Sequence, residues 1–129
     1  NSTQFAQSYR KVDILILETM NSMVETEAGL CALKNIDLPL WVSFVLKDDN
    51  HLLSGDHLVD ALNMLNSFQI DMVLLNCSPL GRTKSAVDNI VDNWILGWGI
   101  YPNLAKGELA ADGCITVYEP MKIYLSVKM

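Results

Sequence analysis

Three short stretches carry side chains able to do chemistry. The first is Asp71-Met-Val-Leu-Leu-Asn-Cys-Ser78. Its apolar run, Met72 to Leu75, has no alternation and reads as a buried strand of a parallel sheet. It ends on an amide, Asn76, and a thiol, Cys77, before Pro79 and Gly81 mark a turn. A thiol placed there is a candidate nucleophile or metal ligand. The second stretch is Glu18-Thr19, which closes the apolar run Val12 to Leu17. A carboxylate at a strand end offers charge-assisted acceptors to a cationic group. The third is Tyr101-Pro-Asn103, which follows Trp94 to Ile100. A further run, Leu40 to Leu46, carries Ser43 within it and ends at Lys47-Asp48-Asp49-Asn50.

Helices must connect these runs. Ser22-Met-Val-Glu25 fits a capping box and opens a helix to about Lys34, with Val24, Ala28 and Cys31 on one stripe and Cys31 in the core. Leu58, Ala61, Leu62 and Leu65 give His57 to Asn66 a helical period. Ser85 to Asn93 is a third helix with Val87, Ile90 and Val91 inward, and Glu119-Pro120 opens a last one. Residues 104–118 read as loop. Gly97 and Gly99 within a strand suggest close packing on the backbone, and Trp94 and Trp98 would share one strand face. The order is β-α-β-α-β-α-β-loop-α, the pattern of parallel strands with right-handed crossovers. All the polar strand ends then emerge on one edge, the functional rim of an α/β barrel or an open sheet.

At 129 residues the chain holds at most one domain. Half of its residues are hydrophobic, enough for a packed core. A net charge of −6 without a basic cluster excludes a nucleic-acid partner. No apolar run approaches the roughly 20 residues of a membrane helix, and no signal peptide opens the chain. Three widely spaced cysteines do not form a disulfide scaffold and fit a reducing, cytoplasmic compartment. GxGxxG and GxxxxGK[ST] are both missing, which removes the dinucleotide and P-loop readings. His51 and His57 lack ligand spacing and read as solvated, as do Asp48 and Asp49.

Taken in order, Val12-Asp-Ile-Leu-Ile-Leu-Glu-Thr19, Glu25-Thr-Glu-Ala28, Leu40-Trp-Val-Ser-Phe44, Leu53-Ser-Gly-Asp56, Leu75-Asn-Cys77 and Tyr101-Pro-Asn103 resemble the homocysteine S-methyltransferase family. The branch using S-methylmethionine or S-adenosylmethionine is the most similar. The resemblance runs from about residue 8 to 110. It implies part of a (β/α)8 TIM barrel, about four parallel strands from the second half, as a single partial domain over residues 1–129. It implies zinc as cofactor, with Cys77 as one thiolate ligand. The family's other two zinc ligands, adjacent in Gly-Gly-Cys-Cys, have no counterpart, and Gly113-Cys114 does not replace them. Small-molecule partners, homocysteine and a methyl donor, would meet Glu18, Ser43, Asn76, Tyr101 and Asn103. Glu18 matches the acidic position that takes the substrate's amino group. The missing pair leaves an alternative, a non-catalytic or truncated relative acting as a scaffold. Its open sheet edges would invite self-association.

Overall fold

The computed structural model describes residues 12–76, 80–101 and 124–126. Five strands form one sheet: β1 (Leu15–Met20), β2 (Leu40–Phe44), β3 (Met72–Asn76), β4 (Gly97–Tyr101) and β5 (Tyr124–Ser126). Three helices alternate with them: α1 (Met23–Leu33), α2 (Leu58–Leu65) and α3 (Leu80–Asn93). The strands lie in sequence order, the first four parallel and β5 antiparallel to β4. This is the α/β pattern of successive barrel units, in which each new strand is added to the same side.

One core sits between the sheet and all three helices. Val42 and Phe44 of β2, Val73 and Leu75 of β3 and Ile100 of β4 join Leu30, Leu62, Leu65 and Ile90 in a single buried cluster. Strand alternation sends the intervening residues to the opposite face. There the register sets Trp41 beside Met72 and Gly97, Ser43 beside Leu74 and Gly99, and Asn76 beside Tyr101. That second face, in a (β/α)8 barrel, is the interior. Gly97 does stand against a close neighbour: a Cβ there would lie 3.2 Å from the Met72 Cε and 3.3 Å from the Asp71 carbonyl oxygen.

α1 starts as its capping residues require. The Ser22 hydroxyl accepts from the Glu25 N–H at 3.1 Å, and the Glu25 carboxylate accepts from the Asn21 N–H at 2.9 Å. Asp56, from the loop after β2, accepts from the Met23 N–H at 2.8 Å. Two carboxylates therefore serve the positive end of α1. The buried stripe is Thr26, Leu30 and Leu33, not Val24, Ala28 and Cys31. Val24 is 79% exposed, and Ala28 and Cys31 are exposed too. The reason is Thr26, which is buried by returning its hydroxyl to the Ser22 carbonyl at 2.7 Å. A satisfied hydroxyl completes a stripe that apolar periodicity passes over.

Other expectations shift as well. β1 continues through Glu18-Thr19 to Met20 rather than closing before them. α3 begins at Leu80, five residues before the predicted Ser85. It buries Ala86 and Ile90, half-buries Val87 and leaves Val91 exposed. Trp94 lies outside β4 and does not share a strand face with Trp98. It is buried, and its indole N–H donates to the Gly97 carbonyl at 3.0 Å. That bond turns the chain from α3 into β4, so the apolar run is not one strand. Tyr124–Ser126 is a strand where the last helix was expected, its backbone ladder to β4 taking the place of helical bonds. Glu119, Pro120, Cys114 and residues 104–118 lie outside the described residues.

Candidate functional site

The C-terminal ends of β1, β2, β3 and β4 are tied together by side chains. Ser43 is the centre. Its hydroxyl donates to the Asn76 Oδ1 at 2.6 Å. It accepts from the Thr19 backbone N–H at 3.0 Å and from the Tyr101 hydroxyl at 2.9 Å. A serine hydroxyl has one proton and two lone pairs, so these three bonds use all of it. Asn76 returns the connection to β1 by donating from Nδ2 to the Thr19 Oγ1 at 2.8 Å. Ser43 and Asn76 are 0% and 1% exposed, so the network replaces water for both. The Tyr101 hydroxyl also lies 3.4 Å from the Glu18 Oε1. Glu18 is exposed, and its carboxylate keeps lone pairs available to a bound cation.

The structure thus brings together four residues singled out in the sequence: Glu18, Ser43, Asn76 and Tyr101. Cys77 and Asn103 lie outside the described residues. Thr19 completes the cluster and was not singled out as a site residue. Its signal was the polar Glu18-Thr19 pair at the end of an apolar run, read only as a strand terminus.

The loop after β2 braces this rim. The Asp56 carboxylate is held below the ordinary carboxylate range, first by the Met23 N–H and then by the Ser54 hydroxyl. Ser54 also donates its N–H to the Asn21 carbonyl at 3.0 Å. Further along the loop, Asp48 is depressed by the Asn50 N–H and by His51, whose Nδ1 is 2.8 Å away. His51 also lies against His57, ring centres 4.4 Å apart. Backbone pairing of the two residues brings these rings together, with His57 exposed and His51 half-buried. Among the described residues, no three His, Cys, Asp or Glu side chains gather into a group that could hold a metal ion. A cavity of about 600 Å³ lies at the other end of the strands, lined by Pro39, Asn66, Asp71 and Leu96 among others. It is remote from the cluster.

Residues 3–124 match the family described as "Homocysteine S-methyltransferase". The chain belongs to the homocysteine S-methyltransferase family. It is 32% identical over 97 residues to "Homocysteine S-methyltransferase 2" of Zea mays, covering 70% of this chain and 28% of that protein. To "Homocysteine S-methyltransferase" of Escherichia coli (strain K12) it is 31% identical over 93 residues, covering 70% and 30%. The chain therefore spans less than a third of the length of these curated relatives. Among solved structures, the apo form of the homocysteine methyltransferase MmuM from Escherichia coli superposes with a TM-score of 0.69 at 30% identity. That match covers 72% of this chain and 37% of that one. The metallated form gives the same score over 79% and 35%. The MmuM relative is thus known in apo and metallated forms, and this chain is a member of the same family. None of its described helices is long and apolar enough to cross a membrane.

Proposed function

We propose that residues 1–129 are a partial homocysteine-binding (β/α) barrel domain of a zinc-dependent homocysteine S-methyltransferase. The reaction transfers a methyl group from a sulfonium donor to homocysteine, giving methionine. The homocysteine sulfur supplies the electron pair for the new C–S bond. The donor's C–S bond breaks, its electrons stay on the departing sulfur, and the sulfonium leaves as a neutral thioether. A protonated thiol is a poor nucleophile. Zinc, when bound, supplies the charge that keeps the substrate sulfur as a thiolate at neutral pH.

The observation that carries this reading is the hydrogen-bonded chain across four strand ends, with an exposed carboxylate at its Glu18 end. Glu18 takes the homocysteine ammonium. Tyr101 stands between that carboxylate and Ser43, and the buried Ser43–Asn76 pair keeps the pocket wall in one arrangement. Asn103, in the Tyr101-Pro-Asn103 segment, is a further substrate-binding residue in this reading. Cys77 directly follows Asn76 in the chain and gives one thiolate to zinc. A thiolate is a suitable donor for that ion, but one thiolate does not close a four-coordinate site. A zinc centre would need further ligands beside Cys77. A cytoplasmic setting suits reduced thiols.

A second reading has its own support. β1 is an edge strand among the described residues, and Ile14 and Ile16 are exposed at 38% and 47%. That edge favours a non-catalytic scaffold that associates with another copy or chain.

Zinc analysis of the purified chain, with Cys77→Ser beside it, and calorimetric titration with homocysteine separate the two. Homocysteine binding weakened at least about tenfold by Glu18→Gln, with any zinc the chain holds lost in Cys77→Ser, is the expected result. A chain that holds neither zinc nor homocysteine sinks the methyltransferase reading and leaves the scaffold.

A further inference from the structure

From Leu17 to Met20, β1 advances three residues while β2 advances two, from Val42 to Phe44. The surplus residue makes a bulge, and Glu18 and Thr19 together stand opposite Ser43. Bulges are rare between parallel strands and re-aim side chains beside functional sites. Thr19 has φ +60°, the left-handed region. A β-branched residue seldom adopts it, and such strain persists only where the surroundings hold it.

The bulge has a geometric result. Ordinary alternation would send Glu18 and Thr19 to opposite faces of the sheet. Here both reach side chains on the face away from the helices: Glu18 approaches the Tyr101 hydroxyl and Thr19 meets Ser43 and Asn76. Met20 then returns to pairing with Phe44 and to the helix-side core.

The same residue contributes to the polarity of the network. Hydroxyls can donate or accept, so Ser43 and Tyr101 do not by themselves say which way the Asn76 amide points. The Thr19 backbone N–H can only donate. It occupies one lone pair of Ser43, the Tyr101 hydroxyl takes the other, and the Ser43 proton is left for the Asn76 Oδ1. The Asn76 Nδ2 is then turned to the Thr19 Oγ1.

We infer that Thr19 is a positioning residue: its left-handed bulge clamps the Asn76 amide in one orientation at the end of β3, beside the exposed Glu18. The clamp stands on this geometry alone. Its consequence for substrate rests on the homocysteine reading above.

The test uses the full chain, labelled with nitrogen-15, and follows the two side-chain N–H resonances of Asn76. Thr19→Gly suits the left-handed backbone and keeps the N–H that meets Ser43, while it removes the side chain that holds the Asn76 Nδ2. Its Asn76 amide is expected to shift and to exchange with solvent at least about tenfold faster. Thr19→Ser restores the hydroxyl and is expected to stay within about threefold of the parent. Parental shifts and exchange in Thr19→Gly, or Thr19→Ser loosened as far as Thr19→Gly, would overturn the clamp. Homocysteine titration of the same samples, with zinc present, is expected to weaken in Thr19→Gly and recover in Thr19→Ser. If Asn76 loosens as expected while the parent binds no homocysteine, the clamp stands and the substrate reading fails.

Discussion

Ser43→Ala is the sharpest perturbation of the strand-end cluster. The substitution removes one oxygen and leaves almost no cavity, so the packing loss is small. What it strands are three polar groups. The Asn76 Oδ1, 2.6 Å away in a side chain only 1% exposed, loses its donor without access to water. A stranded buried acceptor costs about 1–3 kcal/mol. The Thr19 N–H and Tyr101 hydroxyl are part-buried, and each lost bond there is nearer ~0.5–1.5 kcal/mol. The Tyr101 proton can turn toward the Glu18 carboxylate at 3.4 Å, which offsets part of its share. Members of one network do not add fully, so the expected loss is about 2–4 kcal/mol. Tyr101→Phe removes one donor and leaves the Ser43–Asn76 bond, so it should cost about 0.5–1.5 kcal/mol. Urea unfolding followed by tryptophan fluorescence measures both, and the double variant gives their coupling. Since Ser43→Ala already forfeits the Tyr101 bond, the double variant should lie close to Ser43→Ala. If Ser43→Ala changes stability by less than about 0.5 kcal/mol, the usual range for unremarkable sites, Ser43 is not the node described. Equal losses from Ser43→Ala and Tyr101→Phe would also refute it.

Acidification should loosen the brace between the loop after β2 and α1. Asp56 titrates lower in the folded chain than its ordinary value of 3.8. Its stabilisation is therefore complete above that value and is lost as pH falls through the depressed one. Urea midpoints of the parent and Asp56→Asn should differ most at neutral pH and converge in acid. A constant gap would mean that the carboxylate charge is not what braces the helix. Asp48, shifted the same way by Asn50 and His51, keeps some acid sensitivity in that variant. On α1, Leu30→Ala should cost about 2–5 kcal/mol, because Leu30 is wholly buried. Val24→Asp, at an exposed site, should stay within about 0.5 kcal/mol in the same unfolding assay. The reverse ranking would restore the Val24 stripe.

Much of the site was legible because a parallel strand writes its end into the sequence. An apolar run followed by an abrupt polar residue marks where the backbone leaves the sheet. Parallel order then brings those ends to one edge. That logic located Glu18, Asn76 and Tyr101, and the family segments added Ser43. It did not extend to α1, where two stripes have helical spacing. Val24, Ala28 and Cys31 look more apolar than Thr26, Leu30 and Leu33, yet the latter are buried. Composition ranks side chains one at a time, whereas a helix buries the face its caps and strand connections turn inward. Gly29 shows the same constraint from the partner's side, since a Cβ there would meet the Leu17 Cδ1 at 2.9 Å.

Thr19 was hidden for a stronger reason: its residue type argues against its conformation. Threonine favours extended strands, and its left-handed φ becomes sensible only with Ser43 and Asn76 in place, 24 and 57 residues away. Local preference therefore loses to a pair of non-local hydrogen bonds. The strain also explains why the bulge sits at this strand end and not mid-sheet. Within the ladder, β1 backbone groups are committed to β2, and a surplus residue would break that pairing. At the rim only the Met20–Phe44 pair follows the bulge, and the Ser43 side-chain oxygen receives the Thr19 N–H. The strained position is thus tied to the place where four strands deliver polar groups to one edge. That coincidence makes Thr19 a part of the site rather than an irregularity of the sheet.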